Sequence, residues 1–246
     1  TGPTGSGKTT TLHAVLGYIN KPERKIWTAE DPVEITQPGL QQVQMIPKID
    51  FTFATAMRAF LRADPDVILI GEMRDEETAS IGIEASLTGH LVLSTLHTNS
   101  APETITRLLD LGLDPVNFSD ALLGVLAQRL MRTLCPKCKA PYKPDKKELD
   151  HLIDAYGNKE QFDEDFKDLD FSTHEIMGPV GCDVCGGTGY KERTGIHELL
   201  VGTHDLQGMI YKKADLDDIR AQALKDGMRT MKQDGIYKIF TGSSDY

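Results

Sequence analysis

The run Gly2-Pro3-Thr4-Gly5-Ser6-Gly7-Lys8-Thr9 has the G-x-x-x-x-G-K-T spacing of a phosphate-binding loop. Glycines let backbone N–H groups curl around phosphate oxygens, and a helix starting at the lysine adds the positive end of its dipole. In that arrangement Lys8 reaches the β- and γ-phosphates of ATP and the Thr9 hydroxyl ligates Mg2+. The expected phosphate-binding set is Gly2, Thr4, Gly5, Ser6, Gly7, Lys8, Thr9 and Thr10.

A second run, Asp64-Pro65-Asp66-Val67-Ile68-Leu69-Ile70-Gly71-Glu72, delivers an acid from the end of an apolar strand. Gly71 occupies the place where such a motif usually carries aspartate. Glu72 is therefore the acid expected to serve the Mg2+ and the attacking water, and its displaced position weakens the case for direct metal ligation. Glu30-Asp31-Pro32-Val33-Glu34 follows another strand. Carboxylates at the carboxyl end of a parallel strand point into the ligand crevice, although acidic loops are more often simply solvated. His97, after the apolar run 91–96, can hydrogen-bond a γ-phosphate and sense its loss, whereas a lone histidine is more often structural. The purpose of His90 is less defined. Arg58, Arg62, Arg74 and Arg107 lie in or near the core, where salt bridges are the commoner fate of any single one.

Cys135-Pro136-Lys137-Cys138 and Cys182-Asp183-Val184-Cys185 are paired C-x-x-C knuckles. Four thiolates in a tetrahedron make a closed zinc site with no open position for catalysis. Two such pairs favour zinc over the redox chemistry of a single C-x-x-C. The metal would staple the segment between the knuckles rather than take part in the reaction.

These groups need elements to hold them. A helix is expected over 8–19, where Leu12, Val15, Leu16 and Ile19 recur at helical spacing. Strands are expected at 25–30, 67–70 and 91–96. The unbroken apolar run 67–70 suits a strand buried on both faces of a parallel sheet. Helices are expected over 53–63, from an Asp75 cap to Gly89, and from a Ser100/Glu103 capping box to Leu111. After the Asp114-Pro115 break, Leu122, Leu126, Leu130 and Leu134 predict a longer helix. Asp145 and Glu148 cap a helix bearing Leu149, Leu152, Ile153 and Tyr156. Beyond Gly195 the chain reads as short amphipathic helices, one with Leu216, Ile219 and Ala223, another with Ile236, Ile239 and Phe240.

Strands alternating with helices predict an α/β fold with a mostly parallel sheet, and the phosphate-binding loop makes it a P-loop NTPase. To this are added a small zinc-binding insertion and a helical C-terminal part. The expected domains are a core over 1–134, a tetracysteine insertion over 135–190 and a mainly helical part over 191–246. A phosphate-binding loop is fed by a buried strand, and residue 1 stands just before the first glycine. The chain is therefore expected to be a piece of a longer protein, with its first core strand and a preceding domain missing.

Composition narrows the class. Apolar residues make up 39% of the 246 positions and charged ones 26%, ordinary for a globular chain with ample length for a core. No apolar run approaches the ~18–20 residues that span a bilayer. A formal charge of −10 argues against a protein built to coat nucleic acid. The acidic stretch 145–170 reads as a solvated surface.

The ordered set GPTGSGKTTT (2–11), AEDPVE (29–34), DPDVILIGEMRD (64–75), TGHLVLSTLHTN (88–99), LAQRLMRTLC (126–135) and GYKERTGIHELL (189–200) resembles the type II secretion and type IV pilus assembly ATPase family. The resemblance covers nearly the whole chain, and the ordered set is far more specific than any one motif. It implies a RecA-like core and ATP hydrolysis by a homohexameric ring, with ATP held between each core and its own N-terminal domain. Glu34 matches that family's catalytic glutamate and Glu72 the glutamate of its atypical second motif. His97 and His90 match its histidine box. The catalytic set implied is Glu34, Glu72 and His97, with ATP, Mg2+ and Zn2+ bound, the zinc on Cys135, Cys138, Cys182 and Cys185. The tetracysteine insertion resembles the assembly and secretion branch, whereas the retraction branch generally lacks it. The resemblance further implies a cytoplasmic motor, peripheral at the inner membrane, that drives an inner-membrane platform protein and, through it, a pilin or pseudopilin system, with no nucleic acid bound. The rival readings are a nucleic-acid-dependent RecA-type motor and a non-hydrolysing zinc-stapled assembly module.

Overall fold

The computed structural model describes residues 1–171 and 173–245. Four strands form one parallel sheet: β1 (Ile26–Glu30), β2 (Leu40–Gln44), β3 (Val67–Ile70) and β4 (Leu91–Ser94), in the order β2-β1-β3-β4. Residue alternation divides the sheet's side chains between two faces. On one face Ile26, Val67 and Leu69 pack with Leu16 of helix α1 (Lys8–Ile19). On the other, Ala29, Ile68 and Ile70 pack with Ala56, Met57 and Phe60 of α2 (Phe53–Phe60) and Ile81 and Ala85 of α3 (Glu76–Leu87). All four residues of β3 are buried, because both faces of that strand are covered. The α/β sandwich predicted from the alternating pattern is therefore present.

Short polar side chains fix the helix starts. Thr52 caps α2 and Asp75 caps α3 through Thr78 N. Ser100 caps α4 (Ala101–Asp110), while Glu103 reaches back to Asn99 N instead of closing a box on Ser100. Each of these caps satisfies one of the N–H groups a helix leaves open at its first turn.

The helix expected through Leu122, Leu126, Leu130 and Leu134 is not there. Asp114 caps a short helix, α5 (Pro115–Ala121), and the chain then extends as β5 (Gly124–Leu134), paired with β8 (Tyr190–Val201). A spacing of four satisfies a helical period and, being even, one face of a strand as well. Leu134 is buried but Leu126 is only half-buried and Leu130 exposed, whereas Val125 and Ala127 are buried, so the leucine stripe is not packed along its length. The helical stretch expected beyond Gly195 likewise begins only after β8, with α8 (His204–Tyr211), α9 (Leu216–Lys225) and α10 (Met231–Phe240).

The chain divides into two compact units, one of residues 1–127 and 199–228 and one of 128–198 and 229–246. The first holds the parallel sheet, with α8 against α5 and α9 against α4. The second holds β6 (Ala140–Tyr142) paired antiparallel with β7 (Ile176–Gly178), and α6 (Lys146–Tyr156), α7 (Lys159–Asp165) and α10. Asp145 and Glu148 form the predicted capping box on α6. The core of this unit is aromatic: Phe162 is fully enclosed, with Phe166, Phe171 and Phe240 rings 4.8–5.8 Å from its own and Tyr156 edge-on. No helix among the described residues is long and apolar enough to cross a membrane.

Candidate active site

A parallel sheet gathers the residues that follow its strands along one edge, where ligands of such folds bind. The glycine-rich loop lies at that edge. Thr1 Oγ1 donates to the Leu96 carbonyl at 2.9 Å, two residues beyond the end of β4. Gly5 and Gly7 have φ of 78° and 87°, a left-handed backbone that glycine adopts without penalty, and Gly7 is the N-cap residue of α1. Ser6 N donates to the Pro3 carbonyl, closing the turn. Ser6 is buried, Lys8 and Thr9 are half-buried at the first turn of α1, and Thr4 and Thr10 are exposed. The Lys8 ammonium crosses the loop to the carbonyls of Gly2 (2.7 Å) and Pro3 (3.3 Å). Burial pulls its pKa below the usual lysine value, and the nearby charge of Glu72 opposes that shift. An ammonium held on a glycine-rich loop at a helix N-terminus suits a polyphosphate.

Glu72 follows β3 directly after Gly71. A Cβ at Gly71 would lie 3.0 Å from the Ala29 carbonyl oxygen and 3.4 Å from Glu30 Cα. A side chain at 71 would thus press on the backbone of β1, and the acid stands at the next residue. Thr95 Oγ1 donates to the Gly71 carbonyl at 2.6 Å and Met73 N to the Thr95 carbonyl at 3.0 Å, tying the ends of β3 and β4 together. Across that tie, His97 Nε2 meets Glu72 Oε1 at 3.3 Å and Arg74 meets Glu72 Oε2 at 2.6 Å. The Arg74 guanidinium is held above its usual pKa mainly by its hydrogen bond to Glu72. Of the sequence-predicted catalytic residues, Glu72 and His97 are thus brought into contact, within electrostatic reach of Lys8.

Glu34 stands exposed in the loop 31–39 and, among the described residues, makes no hydrogen bond or ion pair with Lys8, Glu72 or His97. His90 lies before β4, at the opposite edge of the sheet, with Nδ1 on the Ala85 carbonyl (2.9 Å) and Thr88 Oγ1 (3.2 Å). Those contacts give it a structural part at the end of α3. Arg58 pairs with Glu77 on the surface. Sequence reasoning passed over a buried pair beneath the acidic loop: His13 of α1 and Glu30 of β1, 3.3 Å apart and 3% and 5% exposed. A histidine on the helix that follows a phosphate-binding loop, with a glutamate as last residue of a buried strand, was the available signal.

The four cysteines of the second unit come together. Their sulfurs lie within 4.8 Å of one another, with Cys135–Cys182 at 4.0 Å, Cys138–Cys185 at 3.8 Å and Cys182–Cys185 at 3.8 Å. A tetrahedron with Zn–S bonds near 2.3 Å has edges of about 3.8 Å, so the set fits zinc. Backbone N–H groups of Gly181, Cys182 and Gly189 donate to Cys138 or Cys185 sulfur at 3.2–3.3 Å, orienting the ligands. Burial pushes the Cys138 thiol up to about 11. At Cys185 burial acts in the same direction, but N–H donors from Cys182 and Gly189 and the neighbouring thiols outweigh it and bring the group down to about 6. Gly189 has φ of 79°, and a Cβ there would strike Pro179 at 2.5 Å.

The sequence profile of type II/IV secretion system proteins matches residues 1–246. The chain is 46% identical over 247 residues to the type IV pilus assembly ATPase PilB of Thermus thermophilus, covering 98% of this chain and 26% of that one. It is 47% identical over 246 residues to the type II secretion system ATPase E of Vibrio cholerae, covering 98% of this chain and 45% of that one. The chain thus spans between a quarter and a half of the length of these relatives. Among solved structures, that of the pilus retraction motor PilT with bound ADP superposes with a TM-score of 0.65 at 29% identity, over 99% of this chain and 57% of that one. The phosphate loop, the Glu72–His97 contact and the tetracysteine cluster sit in a fold whose sequence matches one family from end to end, and the chain belongs to the type II/IV secretion system proteins.

Proposed function

We propose that this chain is the ATP-hydrolysing part of a cytoplasmic motor that powers type II secretion or type IV pilus assembly. The observation that carries the reading is the meeting of the Lys8 loop, Glu72 and His97 at the carboxyl edge of one parallel sheet. In phosphoryl transfer the protein's work is positioning and charge stabilisation. Lys8 and the amides opening α1 would neutralise the β- and γ-phosphates, and the Thr9 hydroxyl would ligate the Mg2+ that shields them. Glu72 is the acid that orients or deprotonates the attacking water. His97, on Glu72 in this structure, would exchange that contact for the γ-phosphate and so report its presence. Glu34 supplies the second carboxylate, from the loop that follows β1.

The relatives' names support the motor role, and the tetracysteine set supports a resident structural zinc. The finer reading is a homohexamer at the cytoplasmic face of the inner membrane. It acts on a platform protein there and moves pilins or pseudopilins through it. Replacing the chromosomal gene by a Lys8→Ala allele in the native host tests this. Surface pili and secreted proteins are scored side by side. Loss of pili alone assigns the assembly role and loss of secreted enzymes alone the secretion role. Persistence of both, with no related ATPase able to cover, would refute the cellular reading.

A further inference from the structure

The loop that carries Glu34 is held by a chain of polar contacts that ends on the phosphate-loop helix and is buried at its Glu30 end. Gln42 of β2 uses its whole amide: Oε1 accepts from Gln37 N (2.8 Å), and Nε2 donates to the Ile35 carbonyl (2.8 Å) and to Glu30 Oε1 (3.0 Å). Val33 N donates to Gln44 Oε1 at 3.3 Å. The backbone is therefore anchored on both sides of Glu34. Gln37 then connects the loop to α1, its Nε2 donating to the His13 carbonyl at 3.0 Å and its Oε1 facing His13 Nδ1 at 3.2 Å. The other ring nitrogen, Nε2, faces Glu30 Oε2. Glu30 Oε1 is already taken by Thr28 Oγ1 (2.6 Å) and Gln42.

The contacts on its two ring nitrogens make the histidine hard to replace. Gln37 Nε2 donates to the His13 carbonyl, which turns the amide oxygen toward Nδ1; that oxygen only accepts, so the bond there needs Nδ1–H. Nε2 faces Glu30 Oε2 at 3.3 Å on the other side. Among the common side chains, only an imidazole presents a nitrogen at each of these two ends in this geometry. His13 is five residues beyond Lys8 on the same helix, so a displacement of the phosphate loop moves the ring that grips the Glu34 loop.

We propose that His13 is a positioning residue. Through Gln37 on one side and Glu30 on the other, it fixes the loop 31–39, and with it Glu34, relative to the helix that binds phosphate. The proposal rests on the catalytic reading of Glu34 given above. A loop freed of this restraint still allows nucleotide to bind at Lys8 but samples the productive position of Glu34 less often, which lowers turnover rather than affinity.

The test uses the full-length protein, with His13→Ala, Gln37→Met, the double variant and Glu34→Gln assayed for kcat and KM. Hydrogen–deuterium exchange is followed in the peptide spanning residues 31–39. His13→Ala and Gln37→Met are each expected to lose about ten- to a hundredfold in kcat, with KM within about twofold of the parent and faster exchange in that peptide. The double variant should be no slower than the slower single one, since both cut the same chain of contacts. Gln37 is only half-buried, so Gln37→Met folds even if loss of the imidazole from the core disrupts His13→Ala. Multiplicative losses in the double variant, or kcat close to the parent in Gln37→Met while Glu34→Gln is inactive, would overturn the proposal. Full turnover by Glu34→Gln would instead strike the reading of Glu34 itself, and leave this network nothing catalytic to position.

Discussion

Replacing Glu72 by glutamine separates chemistry from folding, and the structure sets the size of each effect. The carboxylate itself is only 17% exposed, but its partners Arg74 and His97 have side chains 62% and 45% exposed. Ion pairs with such solvated partners contribute about 0–1 kcal/mol each. Glutamine keeps the shape and one acceptor, so the loss in folding stability should stay near 1 kcal/mol. Losing a general base or water-orienting carboxylate lowers turnover by about 10²- to 10⁴-fold, a barrier increase of roughly 3–5 kcal/mol. The kinetic effect should thus exceed the structural one several-fold. A further sign follows at Lys8. Glu72 opposes the burial that depresses the lysine pKa, so its neutralisation lowers that pKa further. The alkaline limb of nucleotide binding, where Lys8 loses its proton, moves to lower pH. Equilibrium nucleotide binding and single-turnover hydrolysis by full-length Glu72→Gln protein across pH test all three points. A turnover loss below about tenfold, or an affinity loss in proportion to it, would refute the assignment of Glu72 to the chemical step.

Removal of metal by a strong chelator should free the four thiols to titration and open residues 135–190 to protease, while nucleotide affinity of the first unit persists; loss of both together would refute a purely structural metal. Asp165→Asn should lower the melting temperature at neutral pH. Asp165 is held below its ordinary value of 3.8 chiefly by the Arg229 guanidinium, with Tyr156 and Gln161 also donating to it. A depressed carboxylate contributes stability above its unfolded pKa and loses it as pH falls through the folded one. The difference between parent and variant melting temperatures should therefore narrow below about pH 4. Gly71→Ala forces a methyl against the Ala29 carbonyl, which is backbone and cannot step aside. A loss of about 1–3 kcal/mol in unfolding free energy by denaturant titration is expected.

The parallel sheet was readable where apolar runs were short and unbroken, as at Val67–Ile70, because only a strand covered on both faces needs such a run. The edge strand β2, Leu-Gln-Gln-Val-Gln, was not, since one polar flank hides its alternation. The β5–β8 ribbon escaped for a different reason. Its partners are some sixty residues apart in sequence, and leucines four apart suit two periods at once. At the site, motif spacing pointed to Lys8, to Glu72 and to the cysteines of each knuckle, whose pattern is local in sequence. It was silent on why Gly71 is glycine and on the His13–Glu30 pair, both of which depend on which backbone or side chain arrives from another element.

The second unit draws its aromatic core from two stretches of chain. Ile236, Ile239 and Phe240 of α10 pack among Leu152, Tyr156, Phe162 and Phe166, and Ser244 Oγ donates to the Arg132 carbonyl. A cassette cut at the two knuckles and grafted elsewhere would leave this core half-built, and the donor protein would keep an α10 whose apolar face is uncovered. Recombination can exchange this module between relatives only if α10 travels with it, so α10 and the cysteine-bearing stretch are expected to share one history of inheritance.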